Sequence, residues 1–198
     1  MLLITLKSHN IYNIAVMMSK IILYDKIQFS GQGKELMGSV ADLGSASYCS
    51  LKMEGKHWVG YTGTNVTTEF TVYGAGDHAN LGEMDKKIQS LRLVQESLLD
   101  PEVNLYEDNN FHVESCHITE TIRDLSVICF NNRISSHVVK AGAWVLSQEM
   151  NFHGLRTALF LGDQCSDCSI FGWDNKLSCV RFLQNSDHKV GNVSWRRA

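Results

Sequence analysis

Leu105-Tyr106-Glu107-Asp108-Asn109-Asn110-Phe111 repeats, 82 residues on, the string Leu23-Tyr24-Asp25-Lys26-Ile27-Gln28-Phe29. Trp58-Val59 recurs in the same way as Trp144-Val145, 86 residues on. Between these landmarks lie four short strings with a shorter period: Cys49-Ser50-Leu51-Lys52-Met53, Gln89-Ser90-Leu91-Arg92-Leu93, Ser135-Ser136-His137-Val138-Val139 and Ser178-Cys179-Val180-Arg181-Phe182. Their second residues, 50, 90, 136 and 179, are separated by steps of 40, 46 and 43. Each string is a small polar pair followed by alternating apolar and polar residues, the period-2 signature of a half-buried strand. Similarity is stronger at the double step than at the single one. That predicts two alike halves, each of two less alike units, rather than an even solenoid.

Working outward, the one proline, Pro101, falls where the first pair of units ends and the second begins. Proline lacks a ladder donor and is tolerated in a connector. Helical periodicity is weak, the clearest stretch being the short run from Ala79 to Lys87. Short β-rich segments between Gly, Asn, Asp and Ser predict an all-β sandwich. Over 198 residues, 44% are hydrophobic and 20% charged, which excludes disorder, collagen and coiled coil. The net charge of −3 argues against a nucleic-acid carrier, which needs a basic surplus.

The apolar run Met1 to Leu6 is shorter than a signal peptide's core and no stretch approaches a spanning helix. The expectation is a soluble, cytoplasmic chain, with unconventional export as the other route. The six cysteines are too sparse for a disulfide scaffold, so free structural thiols are expected. Cys165-Ser166-Asp167-Cys168 is a single CxxC without a second pair or a His-x₃₋₅-His to complete a zinc site. A redox pair and zinc are its lesser readings. Cys116 and His117 are adjacent, so on a strand they face opposite sides and form no catalytic dyad. No catalytic motif is present and no catalytic residue is assigned.

With these units in place, the chain resembles the βγ-crystallins, whose motifs open on an aromatic hairpin, Tyr-x-x-x-x-Phe/Tyr-x-Gly, and close on a serine-bearing strand. Tyr24, Phe29 and Gly31 fit; Tyr106 and Phe111 fit with Val113 in the glycine position; Phe152 and Gly154 fit with Ser147 in the aromatic position. The second motif is degenerate, with Val66 and Thr68 at the Phe and Gly positions. Val113 predicts a relaxed or differently bent third hairpin, because the tight turn needs positive φ. The resemblance implies two β-sandwich domains, each of two Greek-key motifs: an N-terminal extension over 1–19, disordered; domains over 20–98 and 103–184; a linker over 99–102; and a C-terminal tail over 185–198. Asn131 to His137 and Gly142 to Leu146 resemble the non-lens epidermis differentiation-specific branch of amphibians, whose members can carry a pore-forming domain after the crystallin pair.

Members of the family bind Ca²⁺ through Asn/Asp-Asn/Asp-x-x-Ser/Thr-Ser. Asn131-Asn132-Arg133-Ile134-Ser135-Ser136 matches throughout, and Asp174-Asn175-Lys176-Leu177-Ser178-Cys179 departs only at Cys179, a position that braces the fold in the family. The resemblance implies sites shared crosswise between motifs. It implicates the side chains of Asn132, Ser135, Asn175 and Ser178, with Asn131 and Asp174 opening the loops, and carbonyls near Arg133, Lys176, Glu107 and Gln148. Arg133 and Lys176 are expected to add like charge near the ion. The first domain, with Ser45-Ala46-Ser47-Tyr48-Cys49-Ser50 and Asp85-Lys86-Lys87-Ile88-Gln89-Ser90, is expected to be silent. The implied function is a non-enzymatic, calcium-binding structural protein. The alternatives are a glycan- or lipid-recognition module acting with a pore-forming partner, or a calcium-silent structural crystallin; the partners expected are calcium and, beyond it, a second copy of the chain or a pore-forming protein. Trp173 and the basic Trp195-Arg196-Arg197 are the residues considered for partner contact.

Overall fold

The computed structural model describes residues 19–64 and 69–184 and the backbone of 189–193. The expected extension (apart from Ser19), the degenerate positions Val66 and Thr68, and Trp195-Arg196-Arg197 lie outside the described residues.

The period-2 strings form the predicted strands. In the first half these are β1 (Lys20–Tyr24), β2 (Gly33–Leu36), β3 (Ser50–Glu54), β4 (Trp58–Tyr61), β5 (Phe70–Tyr73), β6 (Gly76–His78) and β7 (Ser90–Leu93). In the second they are β8 (Glu102–Tyr106), β9 (Ser115–Ile118), β10 (Ser136–Ala141), β11 (Ala143–Ser147), β12 (Arg156–Phe160), β13 (Gln164–Cys165) and β14 (Cys179–Phe182). Pro101 immediately precedes β8. The Ala79–Lys87 stretch yields only a 3₁₀ turn at Gly82–Met84.

Antiparallel pairing gives the sheets β2-β1-β3-β6 and β5-β4-β7 in the first half, and β13-β10-β8-β9 and β12-β11-β14 in the second. The third segment of every motif crosses to its neighbour's sheet. Val40 bridges Leu91 while β6 pairs with β3, and Ile122 bridges Val180 while β13 pairs with β10. Neither motif completes a sheet alone, so each pair folds as one two-motif Greek-key sandwich. Alternation builds two interior cores, one around Ile21, Leu23, Leu51 and Trp58, the other around Val103, Leu105, Trp144 and Leu146.

β4 and β11 are buried on both faces, which explains why the Trp-Val pair recurs. Trp58 and Trp144 point into their own domain cores. Val59 and Val145 point the other way, into a third cluster with Tyr61, Phe70, Val72, Val94, Ala143, Phe160 and Leu183. This cluster welds the two sandwiches together. The Arg92 guanidinium lies 3.6 Å from the centroid of the Phe160 ring and pairs with Glu96 at 3.1 Å. Part of the expected C-terminal tail differs from a simple tail. Lys189–Val193 forms β15, pairing antiparallel with β5 of the first domain, so the edge of that sheet is covered.

The third hairpin is not bent differently. Val113 adopts φ +65, in the region occupied by Gly31 (+82) and Gly154 (+72), and the preceding Asn110-Phe111 match Gln28-Phe29 in positive φ. A Cβ on Gly31 would lie 1.8 Å from Asp25 Oδ1. In the third hairpin the equivalent carboxylate, Glu107, is drawn onto Arg133, leaving room for a side chain at 113.

Candidate metal centre

The second position of the first, third and fourth strings has one job. Ser136 Oγ donates to the Asp108 carbonyl (2.6 Å) and accepts from the Phe111 N–H (3.1 Å). Ser50 does the same with Lys26 (2.6 Å) and Phe29 (3.0 Å). Cys179 does so with Glu149 (3.1 Å) and Phe152 (3.2 Å). Each folded hairpin is thereby pinned beside the loop that precedes the strand.

The two loops of the second domain meet around a local two-fold. The Asn132 N–H donates to the Leu177 carbonyl and the Asn175 N–H to the Ile134 carbonyl, both at 3.0 Å. Both asparagines take the left-handed conformation, φ +55 and +51, which asparagine tolerates better than most residues. Ser135 N–H donates to Tyr106 and Ser178 N–H to Ser147, again at 3.0 Å. Each serine is thus set beside the hairpin of its own motif and the asparagine of the other.

Side-chain geometry is most developed on one of the two sides. Ser178 Oγ faces Asn132 Oδ1 at 3.4 Å. Both line a shallow depression with Asn131, Gln148, Glu149 and His153. Asn131 Oδ1 is buried without a hydrogen-bond partner, a costly state for an amide oxygen. The set is oxygen-rich and suits a hard cation. Four of the expected residues, Asn131, Asn132, Gln148 and Ser178, are therefore brought together. Glu149, whose carboxylate belongs to a residue lining the depression, was missed by sequence reasoning; only its place in the hairpin could have indicated it.

The other side keeps the backbone frame but not the same side-chain contacts. Asn175 Nδ2 donates to Asp174 Oδ2 at 3.1 Å, and Ser135 is buried beside the Glu107 hairpin. Lys176 donates its N–H to the Trp173 carbonyl. Arg133 departs from a bare like charge: its guanidinium pairs with Glu107, lies 3.8 Å from Glu114 and donates to the Cys129 carbonyl at 2.6 Å. Trp173 is a core residue, 8% exposed.

In the first domain the same frame carries other chemistry. Lys86 has φ +58, like the asparagines, but offers an ammonium. Cys49 Sγ donates to the Asp25 carbonyl at 3.2 Å.

The family model for beta/gamma crystallins matches residues 20–94 and 102–183. The epidermal differentiation-specific protein of Cynops pyrrhogaster is 25% identical over 185 residues, covering 91% of this chain and 55% of that protein. Beta-crystallin B2 of Aquarana catesbeiana is 27% identical over 163 residues, covering 78% of this chain and 79% of that protein. Among solved structures, a beta gamma crystallin from Ciona intestinalis is 26% identical, with a TM-score of 0.39 over 41% of this chain and 99% of its own. The chain spans about half the length of the first relative, 55%. Two matched segments, two crossed Greek-key sandwiches and the repeated hairpin brace agree: the chain belongs to the beta/gamma crystallin family.

Proposed function

We propose that this chain is a calcium-binding structural protein without catalytic function, holding up to two Ca²⁺ ions in its second domain. The observation that carries the reading is the approach of Ser178 Oγ to Asn132 Oδ1 at 3.4 Å, across two motifs, beside the unpartnered Asn131 Oδ1. At 3.4 Å an O–H···O hydrogen bond is weak. Two oxygens bound at about 2.4 Å to one Ca²⁺, at right angles, stand about 3.4 Å apart. The pair is spaced as neighbouring ligands rather than as a strong hydrogen bond. Gln148 and Glu149 line the same depression and would offer it a hairpin carbonyl and a carboxylate.

The Ser135 side would use Asn175 with carbonyls near Glu107, under the weaker influence of Asp174. Calcium would supply a cross-link between motifs that bury their strands in each other's sheets. With few carboxylates and two cationic side chains nearby, the affinity expected is about 10⁻⁵–10⁻³ M. The test is calorimetric titration of chelator-stripped protein. No more than two sites are expected, abolished by Ser135→Ala with Ser178→Ala. Retained stoichiometry in that double variant, with the fold intact, would sink the assignment.

A further inference from the structure

His137, Cys165 and Cys168 form the one group of three metal-ligating side chains whose donor atoms converge among the described residues. These atoms all lie within 4.8 Å of one another, and all three residues are buried. The sequence separates His137 from the CxxC by about the length of a motif's loops, and only the crossed β13 strand closes that gap. His137 stands directly opposite Cys165 in the β10–β13 ladder, and residues opposed in an antiparallel pair project to the same face. The chain then turns back. Asp167 caps the turn by accepting from the Ser169 N–H (2.9 Å), and the Cys168 N–H donates to the Ser135 carbonyl (2.8 Å). The Asn110 N–H holds the intervening Ser166 carbonyl at 2.7 Å. The cysteines and the imidazole are positioned by main-chain bonds, so little ordering is left for a ligand to impose.

We propose that His137, Cys165 and Cys168 bind one thiophilic divalent ion of the zinc class, with the fourth position open to the adjoining cavity. Cys168 Sγ lies 3.6 Å from His137 Nδ1. Bonds of about 2.3 Å to sulfur and 2.0–2.1 Å to nitrogen, at a tetrahedral angle, set an S···N edge of about 3.6 Å. The donor set of two sulfurs and one imidazole selects a soft or borderline ion over calcium. Charge selects its valence. Cys165 and Cys168 belong to one buried core cluster with Ile134, Leu146, Trp173 and Leu177, and a buried net charge there would be costly. Two thiolates neutralise a divalent ion, whereas a monovalent one leaves a negative site. Binding releases two protons, one from each thiol, and the imidazole gives its Nδ1 lone pair while keeping its proton on Nε2. Three protein ligands plus an open position is the arrangement of an accessible zinc site rather than a closed structural one.

The experiment uses the full chain, reduced with a phosphine and stripped with a chelator, then titrated with Co²⁺. The expected result is a thiolate-to-cobalt charge-transfer band with tetrahedral d–d bands, saturating at one ion per chain and removed by Zn²⁺. Cys165→Ser and Cys168→Ser, close in size to the natural side chains, lose the charge-transfer intensity in step with the sulfurs removed. Each weakens Zn²⁺ binding by more than the roughly 10–100-fold that an outer-shell change costs. Cys129→Ser, which alters an exposed thiol outside the cluster, leaves the bands unchanged. Ser135→Ala with Ser178→Ala also keeps them, separating this site from calcium. Absence of the bands in the reduced wild-type protein overturns the proposal, whether the two thiols then prove inert or prove to be a disulfide pair. Bands of undiminished charge-transfer intensity in folded Cys168→Ser overturn it equally.

Discussion

Cys179 donates its sulfhydryl to the Glu149 carbonyl at 3.1 Å and accepts the Phe152 N–H at 3.2 Å. Ser50 and Ser136 make the same pair of bonds from oxygen at 2.6 Å and 3.0–3.1 Å. One residue thus folds each aromatic hairpin back over its sheet by satisfying two main-chain groups that the hairpin itself leaves open. Sulfur reaches farther and bonds more weakly, but it occupies the same node.

Removing the node should cost more than changing its atom. Ser136→Ala leaves a part-buried carbonyl and N–H without their partner, at up to about 1–3 kcal/mol. Cys179→Ala should be destabilising for the same reason, while Cys179→Ser should fall between wild type and Cys179→Ala or exceed wild type. Urea unfolding of the three variants measures the order. Equal stability of Cys179→Ser and Cys179→Ala would show that the position only fills space.

Val113 is a β-branched residue at φ +65 with its side chain 71% exposed, so it carries backbone strain with little packing to offset it. A non-glycine residue held there costs about 1–3 kcal/mol. Glycine relieves that cost but gives back about 0.4–1 kcal/mol in unfolded-chain entropy. Val113→Gly should therefore stabilise the second domain by about 1 kcal/mol, read as a rise in denaturation midpoint at constant slope. A fall in the midpoint would mean that the valine is packed rather than strained.

The fold was legible because its repeat is written in residues with backbone duties: the bracing positions 50, 90, 136 and 179, and the inward tryptophans at 58 and 144. The crossed third strands were not legible, since Val40 and Ile122 each contribute a single bridge, too short for any periodicity. The bend expected at Val113 failed because the positive φ, though strained for valine, is sterically open once no carboxylate occupies its Cβ space; Arg133, 26 positions from Glu107, draws that carboxylate away. The asparagine-serine loops were visible as a pattern. The grouping of His137 with the CxxC was not, because it depends on strand register rather than on spacing.

Burial holds the His137 imidazole neutral and lowers its pKa to about 4. Below pH about 6.5 the unfolded chain takes up a proton at this ring that the folded chain refuses until about pH 4. Stability should therefore fall as pH drops through that window, by ~1.4 kcal/mol per unit at most and on the order of 3 kcal/mol in all. Unfolding at a series of pH values with chelator present measures it. His137→Phe, which cannot titrate, should flatten this part of the profile. An unchanged slope in that variant would assign the acid sensitivity to other groups.

The first domain offers a test by construction of the calcium reading. Its loop already has the backbone: Lys86 at φ +58 matches Asn132 and Asn175, and the Lys86 N–H reaches the Tyr48 carbonyl at 2.8 Å as the Asn175 N–H reaches Ile134. Asp85 Oδ1 is buried without a hydrogen-bond partner, like Asn131 Oδ1, which also opens its loop. Two side chains stand against an ion, the Lys86 ammonium and the Cys49 sulfhydryl, the latter donating to the carbonyl of Asp25. Lys86→Asn with Cys49→Ser replaces both with oxygen donors, and asparagine suits the left-handed backbone better than lysine. Calorimetry should then find one more Ca²⁺ site than in the wild-type chain, with affinity no weaker than about 10⁻³ M because Asp85 adds a carboxylate. A folded double variant with unchanged stoichiometry would show that the loop backbone and these oxygens are insufficient, and would weaken the assignment in the second domain with it.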